Sequence, residues 1–217
     1  MNRSAPTGPA RPGRPALRCV LPRFLPRFLP GFVFAGLALA AASPALAATK
    51  GGVTMPDTLP VDGSTLVLNG IGLRTFTFLH IRGYVGALYL PRKSSDVETV
   101  LSEPGPKVLT IQYVHNGTVA QLNKLYMDSS RTYCAHHTCT EADKTDFETL
   151  LGAIQPVKTG DVSSFVMTDH GVQVLFNGKQ VALVPDAAFG KVILDSDLGS
   201  TAPSAELRDG LLGLSDS

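Results

Sequence analysis

The chain has 217 residues, enough for one sizeable domain, and a formal net charge of +1. That balance excludes a nucleic-acid surface, which needs a basic excess on one face. No cofactor motif is present: phosphate loop, nucleophile elbow, HExxH and paired carboxylates at diagnostic spacing are all missing.

Residues 1–30 are rich in Arg and Pro, carry no acid and include the duplication "PRFLPRFLP". A short apolar run, "GFVFAGLALAAA", and "SPALA" follow. Basic region, apolar core and the small residues Ala45 and Ala47 are the three parts of a secretory signal, so residues 1–47 read as a signal peptide. The run falls short of the ~20 residues that span a bilayer. A retained anchor is the alternative, and the length of the basic stretch leaves room for a start downstream of Met1. The expected mature chain, residues 48–217, is one domain, periplasmic or secreted, with no stable membrane span.

In chain order, 65–70 ("TLVLNG") and 72–78 ("GLRTFTF") alternate polar and apolar as half-buried strands do, with a turn at Asn69-Gly70. "YVGALYL" (84–90) is a more apolar strand, and "KVLTIQYV" (107–114) a fourth. A capping box from Ser95 to Glu98 opens a short helix that ends at Pro104. Thr118 and Gln121 form a second box, opening a helix with Leu122, Leu125 and Met127. A third helix starts at Thr140, with Phe147, Leu150, Leu151 and Ile154 on one stripe. Three strands follow, 161–169, 171–178 and 179–186, with Asn177-Gly178 as a hairpin turn. A helical run over 186–199 precedes a last helix after Pro203, with Leu207, Leu211 and Leu214 on one side. Strands in runs and helices in a block predict α+β: a large antiparallel sheet with a layer of helices on one face.

Arg74 stands out. Period two puts it on the same strand face as Phe76, Phe78 and His80. Two readings stand side by side. In one, Arg74 snorkels to water from a strand end. In the other, it lines an apolar cavity and holds an anion, because no acid lies near it in sequence and a desolvated cation needs a partner. A carboxylate or phenolate would satisfy it. His80 and Arg82 read as exposed turn residues.

"CAHHTC" (134–139) offers thiols and imidazoles, but the adjacent His136 and His137 space poorly for a tetrahedral metal, so no metal site is assigned. A disulfide Cys134–Cys139 clamping two helices is expected instead. Asn116-Gly-Thr118 matches a glycosylation sequon, although Thr118 already serves as an N-cap. Asp161 of "TGD" reads as a turn cap.

"LVLNGIGLR", "YVGALYL", "VLTIQYV", "TGDVSSFVMTDHGVQVLFNGK", "AFGKVILDSDLG" and "LRDGLLG", in that order, resemble the bacterial chalcone-isomerase-like family over roughly residues 51–214. The resemblance implies an open-faced sandwich with a cleft between sheet and helices, and it implies two functions. Plant chalcone isomerases cyclise a phenolic enone, with an Arg on the oxyanion and Thr and Tyr polarising the ketone. Non-catalytic relatives bind fatty acids through the Arg and a Tyr.

By position, Arg74 matches the family Arg, and Tyr84 falls where the isomerases have Thr and the fatty-acid binders Tyr. Ser196 lies near the last polar position. Ala120 and Met127 fall near the enzymes' Tyr and Asn and cannot replace them. Asp197 stands where bacterial relatives often have Trp.

An Arg without a polariser binds ground and transition states alike, which does not raise the chemical rate. The expectation is therefore binding of a small apolar carboxylate or phenolate, such as a fatty acid. Arg74 and Tyr84 would hold the anion, and Phe76, Phe78 and Ser196 would line the site. Whether the chain is an enzyme stays open. The alternative is an intramolecular lyase acting on a phenolic or enone substrate, with Arg74 and Tyr84 as its catalytic pair. A third reading has no ligand and pairs Arg74 with an acid such as Asp161 or Asp186.

Overall fold

The computed structural model describes residues 47–76 and 81–215. The expected signal region up to residue 46, and Phe78 and His80, lie outside the described residues.

Two short strands, β1 (Ala47–Lys50) and β2 (Val53–Pro56), form a hairpin. The main sheet has seven strands: β3 (Thr58–Val61), β4 (Ser64–Phe76), β5 (Ile81–Leu90), β6 (Lys107–Tyr113), β7 (Val162–Thr168), β8 (Gly171–Phe176) and β9 (Lys179–Val184). They pair antiparallel in sequence order. Helix α1 (Val97–Ser102) connects β5 to β6, and α2 (Val119–His136) and α3 (Glu141–Gly152) connect β6 to β7. Helices α4 (Phe189–Leu198) and α5 (Ala205–Leu211) close the chain. The expected α+β sheet with its helical layer is what forms.

Strand β5 shows why "YVGALYL" is apolar throughout. Tyr84, Leu88 and Leu90 pack into the helical layer with Leu109, Phe165, Phe189 and Leu211. Val85, Ala87 and Tyr89 pack on the opposite face with Val53, Met55 and Leu66. The sheet centre is thus buried on both sides, and the β1–β2 hairpin, unforeseen in the sequence, supplies part of the second cover.

Local signals that act within a few residues hold. The Thr118–Gln121 box caps α2, and Thr140 with Asp143 caps α3 the same way. Asn177 and Gly178 turn the β8–β9 hairpin, both with positive φ. Asp161 caps its turn by accepting from the Lys158 amide at 2.7 Å.

Four expectations need correction. Asn69-Gly70 is no turn. One strand runs from Ser64 to Phe76, and Asn69 is a bulge between Leu68 and Gly70. Its buried amide donates to the Leu211 carbonyl (2.8 Å) and accepts from the Ser94 amide (2.7 Å), which ties the strand to α5. The α1 cap is Asp96 rather than Ser95, with Oδ2 accepting from the Thr99 amide at 2.8 Å. Helix α4 starts at Phe189 because Asp186 caps the Ala188 amide instead of entering a helix. Leu214 is 60% exposed, since Gly213, at φ 67°, turns the chain off the helix before it.

Helix α5 lies unusually close to β4. A Cβ on Gly72 would sit 2.4 Å from the Leu207 carbonyl oxygen, and one on Gly210 2.4 Å from the Gly72 Cα. Backbone rests on backbone, so these glycines are required by close approach.

Candidate functional site

A cavity of about 660 Å³ opens between the sheet and helices α2, α3 and α4. Most of its wall is apolar, with Ile111, Leu122, Leu125, Phe147, Phe165 and Ile193 among the lining side chains. Polar groups come from one rung of the sheet, from α4, and from α2, which adds Gln121, Lys124, Tyr126 and Asp128 among others. Arg74 on β4 stands directly opposite Tyr84 on β5, and Tyr84 opposite Tyr113 on β6. Neighbours on one rung share a face, so all three side chains enter the cavity.

The strand irregularity next to Arg74 shapes this rung. Gly83 is skipped in the β4–β5 pairing, between Arg74↔Tyr84 and Thr75↔Arg82. The Phe76 ring fills the space over it: a Cβ on Gly83 would lie 2.0 Å from that ring. Phe76 then meets Tyr84 edge-on at 6.2 Å, and Arg74 lies over the Phe76 ring at 5.2 Å. Tyr84 meets Tyr113 edge-on at 6.2 Å.

The Arg74 guanidinium donates through Nη1 to the Pro203 carbonyl, on the segment between α4 and α5. Its Nε is buried and has no partner. Contrary to the sequence expectation, an acid of the chain is close. It is Asp197 on α4, neither Asp161 nor Asp186; those two cap local turns. Asp197 lines the same cavity and interacts electrostatically with Arg74, but no ion pair joins the two. Burial pushes the Asp197 carboxyl up to about 6, against the opposing pull of Arg74.

Burial also raises the Tyr84 phenol far above its usual range, with Asp197 adding to the shift and Arg74 opposing it. Tyr126, on α2, is raised well above the usual value by burial, with Tyr113, Tyr84 and Asp197 around it. Both phenols stay protonated at any physiological pH and act as neutral O–H groups. The Tyr113 hydroxyl is 3.4 Å from the Ser163 hydroxyl.

The structure thus gathers Arg74, Phe76, Tyr84 and Ser196 around one cavity. Ser196 contributes less than its position implies, because its hydroxyl donates to the Val192 carbonyl of its own helix at 2.8 Å. Ala120 is exposed and Met127 is 36% exposed, and neither lines the cavity. Three site groups were missed. Tyr113 follows Leu109 and Ile111 at strand period, and Tyr126 follows Leu122 at helical period, so both were legible. Asp197 had no local signal.

Cys134 and Cys139 are joined in a disulfide at the end of α2. His137 beside it stacks on Tyr133 at 4.3 Å and points Nε2 at Asp195, 3.7 Å away.

A curled antiparallel sheet, helices over one face, and an apolar cavity with a guanidinium in its wall define an open-faced sandwich fold with a cavity between its layers. The chain belongs to the chalcone isomerase-like family, which it matches over residues 47–213. A fatty-acid binding protein from Arabidopsis thaliana has the same fold: TM-score 0.64, 13% identity, 77% of this chain and 96% of that chain covered. Among the curated proteins, none matches this sequence.

Proposed function

We propose that this chain is an exported binding protein for a small apolar anion, a fatty acid being the class that fits best, with Arg74 as the anchor. One observation carries the assignment: a guanidinium in a largely apolar cavity, with Nε buried and unpartnered and no ion pair made. A carboxylate accepting from that edge would satisfy it. The volume, about 660 Å³, lies inside the range of about 300–1,000 Å³ usual for small-molecule sites. Tyr84, opposite Arg74 and held neutral, supplies a second donor. The likeness to a fatty-acid binding protein of the same fold supports the ligand class. Export rests on the N-terminal sequence pattern and agrees with a disulfide at Cys134–Cys139. Native mass spectrometry of the purified protein tests the proposal. A carboxylic acid bound to wild type and lost from Arg74→Met supports it; a wild-type protein that takes up no added dodecanoate refutes it.

A second reading has one observation in its favour. Tyr113 and Tyr126 place two further hydroxyls by Arg74 and Tyr84, so donors able to polarise a ketone are present after all. Under that reading the chain is an intramolecular lyase for a phenolic enone, and a spectrophotometric cyclisation assay with an Arg74-dependent rate would establish it.

A further inference from the structure

Among the described residues, the cavity wall carries the cations Arg74 and Lys124 and the carboxyls Asp128 and Asp197; Lys124 pairs with Asp128 at 2.5 Å, which leaves Arg74 and Asp197, and no ion pair joins these two. Among the described residues, Asp197 has no hydrogen-bond donor, and the phenols of Tyr84 and Tyr126, both held neutral by burial, interact with it electrostatically. An anionic ligand anchored on Arg74 brings a second carboxylate beside Asp197. One guanidinium balances one negative charge. Two carboxylates in apolar surroundings do not both stay ionised, and the usual resolution is one proton between them.

We infer that the site takes its ligand as a carboxylate plus one proton: Asp197 is the neutral acid in the complex and donates its O–H to the ligand carboxylate, which Arg74 holds from the other side. The inference rests on the binding site proposed above. No covalent bond changes; the proton comes from solvent and returns to it on release. Asp197 thereby becomes a specificity element. It rewards a ligand headgroup that accepts, and it makes affinity depend on pH.

The sign follows from linkage. The ligand's charge raises the Asp197 carboxyl further in the complex than in the free protein, so binding takes up a proton wherever free Asp197 is ionised. With the free carboxyl at about 6, affinity is level below that pH and falls about tenfold per pH unit above it.

Other ionisable groups near α4 and the cavity do not share this position. On α2, Lys124 pairs with Asp128 at 2.5 Å. His115, just past β6, reaches the cavity rim but is exposed. Asp195, on α4 itself, faces His137 at the C-cap of α2. On α5, Glu206 accepts from the Thr75 hydroxyl, and Arg208 pairs with Asp209. On α1, Glu98 is exposed, and β8 carries no ionisable residue.

The test is calorimetric titration of the whole protein with dodecanoate from pH 5.5 to 8.5, in two buffers of different ionisation heat. Wild type should take up about one proton at pH 8 and bind about 100-fold more weakly there than on its low-pH plateau. Asp197→Asn should take up none and bind at one affinity across the range, and His115→Gln should behave as wild type. Dodecanoate binding without proton uptake, or uptake that survives in Asp197→Asn, overturns the inference while leaving the site standing. Absence of binding by wild type at every pH overturns both. If Asp197→Asn does not fold, the wild-type proton count decides alone.

Discussion

Replacing Arg74 with Met separates an anchor from a structural strut. In the free protein the substitution removes a charge-assisted hydrogen bond to the Pro203 carbonyl, worth ~1.5–3 kcal/mol. It also removes the stacking of Arg74 on Phe76, worth ~0.5–1 kcal/mol. Against these losses, a buried and unpartnered Nε disappears, which returns ~1–3 kcal/mol. The sum centres near 1 kcal/mol of destabilisation, a fall in Tm of about 2–4 °C for a domain of this size. The complex loses far more. Truncating one side of a buried charge pair costs about 2–5 kcal/mol, or about 30- to 5,000-fold in affinity. Urea denaturation and dodecanoate titration on the same preparation give both numbers. A stability loss above about 4 kcal/mol together with affinity within threefold of wild type would mean that Arg74 is a brace for the Pro203 segment, and the anchor idea fails.

Three further outcomes follow from the packing. Gly72→Ala drives a Cβ to within 2.4 Å of the Leu207 carbonyl, and overpacking of this kind should lower the urea-derived stability by about 1–3 kcal/mol, with weaker ligand binding as α5 shifts. Cys134→Ser/Cys139→Ser opens a loop with a sequence separation of 5; the chain-entropy relation gives a loss of about 2 kcal/mol, and dithiothreitol should lower the Tm of wild type but not of the double variant. Asp146 is buried with Oδ2 unpartnered, and burial, then Asp186 and Asp143, raise its carboxyl above the ordinary carboxylate range. A raised acid stabilises the fold while protonated and loses that contribution as pH rises through its folded value, so Asp146→Asn should raise the urea midpoint at pH 7 and give no advantage below about pH 4.

What the sequence disclosed about this protein depends on range. Thr118 with Gln121, and Asn177 with Gly178, act across three residues or fewer, and their geometry was readable in advance. The two-sided burial of β5 was half readable: its apolar run announced it, but the cover from β1 and β2 did not. Asn69-Gly70 misled because the same dipeptide serves a hairpin turn and a bulge, and only the carbonyl of Leu211, 142 residues away, selects the bulge. The rung Arg74–Tyr84–Tyr113 depended on strand register, which the skipped Gly83 resets. Asp197 stayed hidden because a helix from the far end of the chain carries it over the sheet.

The seal of α5 on β4 bears on the order of assembly. Each strand from β3 to β9 finds its partner in the strand next along the chain, so the sheet can grow in sequence order, with α1 crossing the β5–β6 step and α2 and α3 the longer β6–β7 step. The contact that orients the guanidinium spans 129 residues, from Arg74 to Pro203. A chain emerging N-terminus first therefore has its cup before its clasp. Under the proposed function, the anchor is set only when the segment before the last helix docks, and a truncated or stalled chain is left with the cup alone.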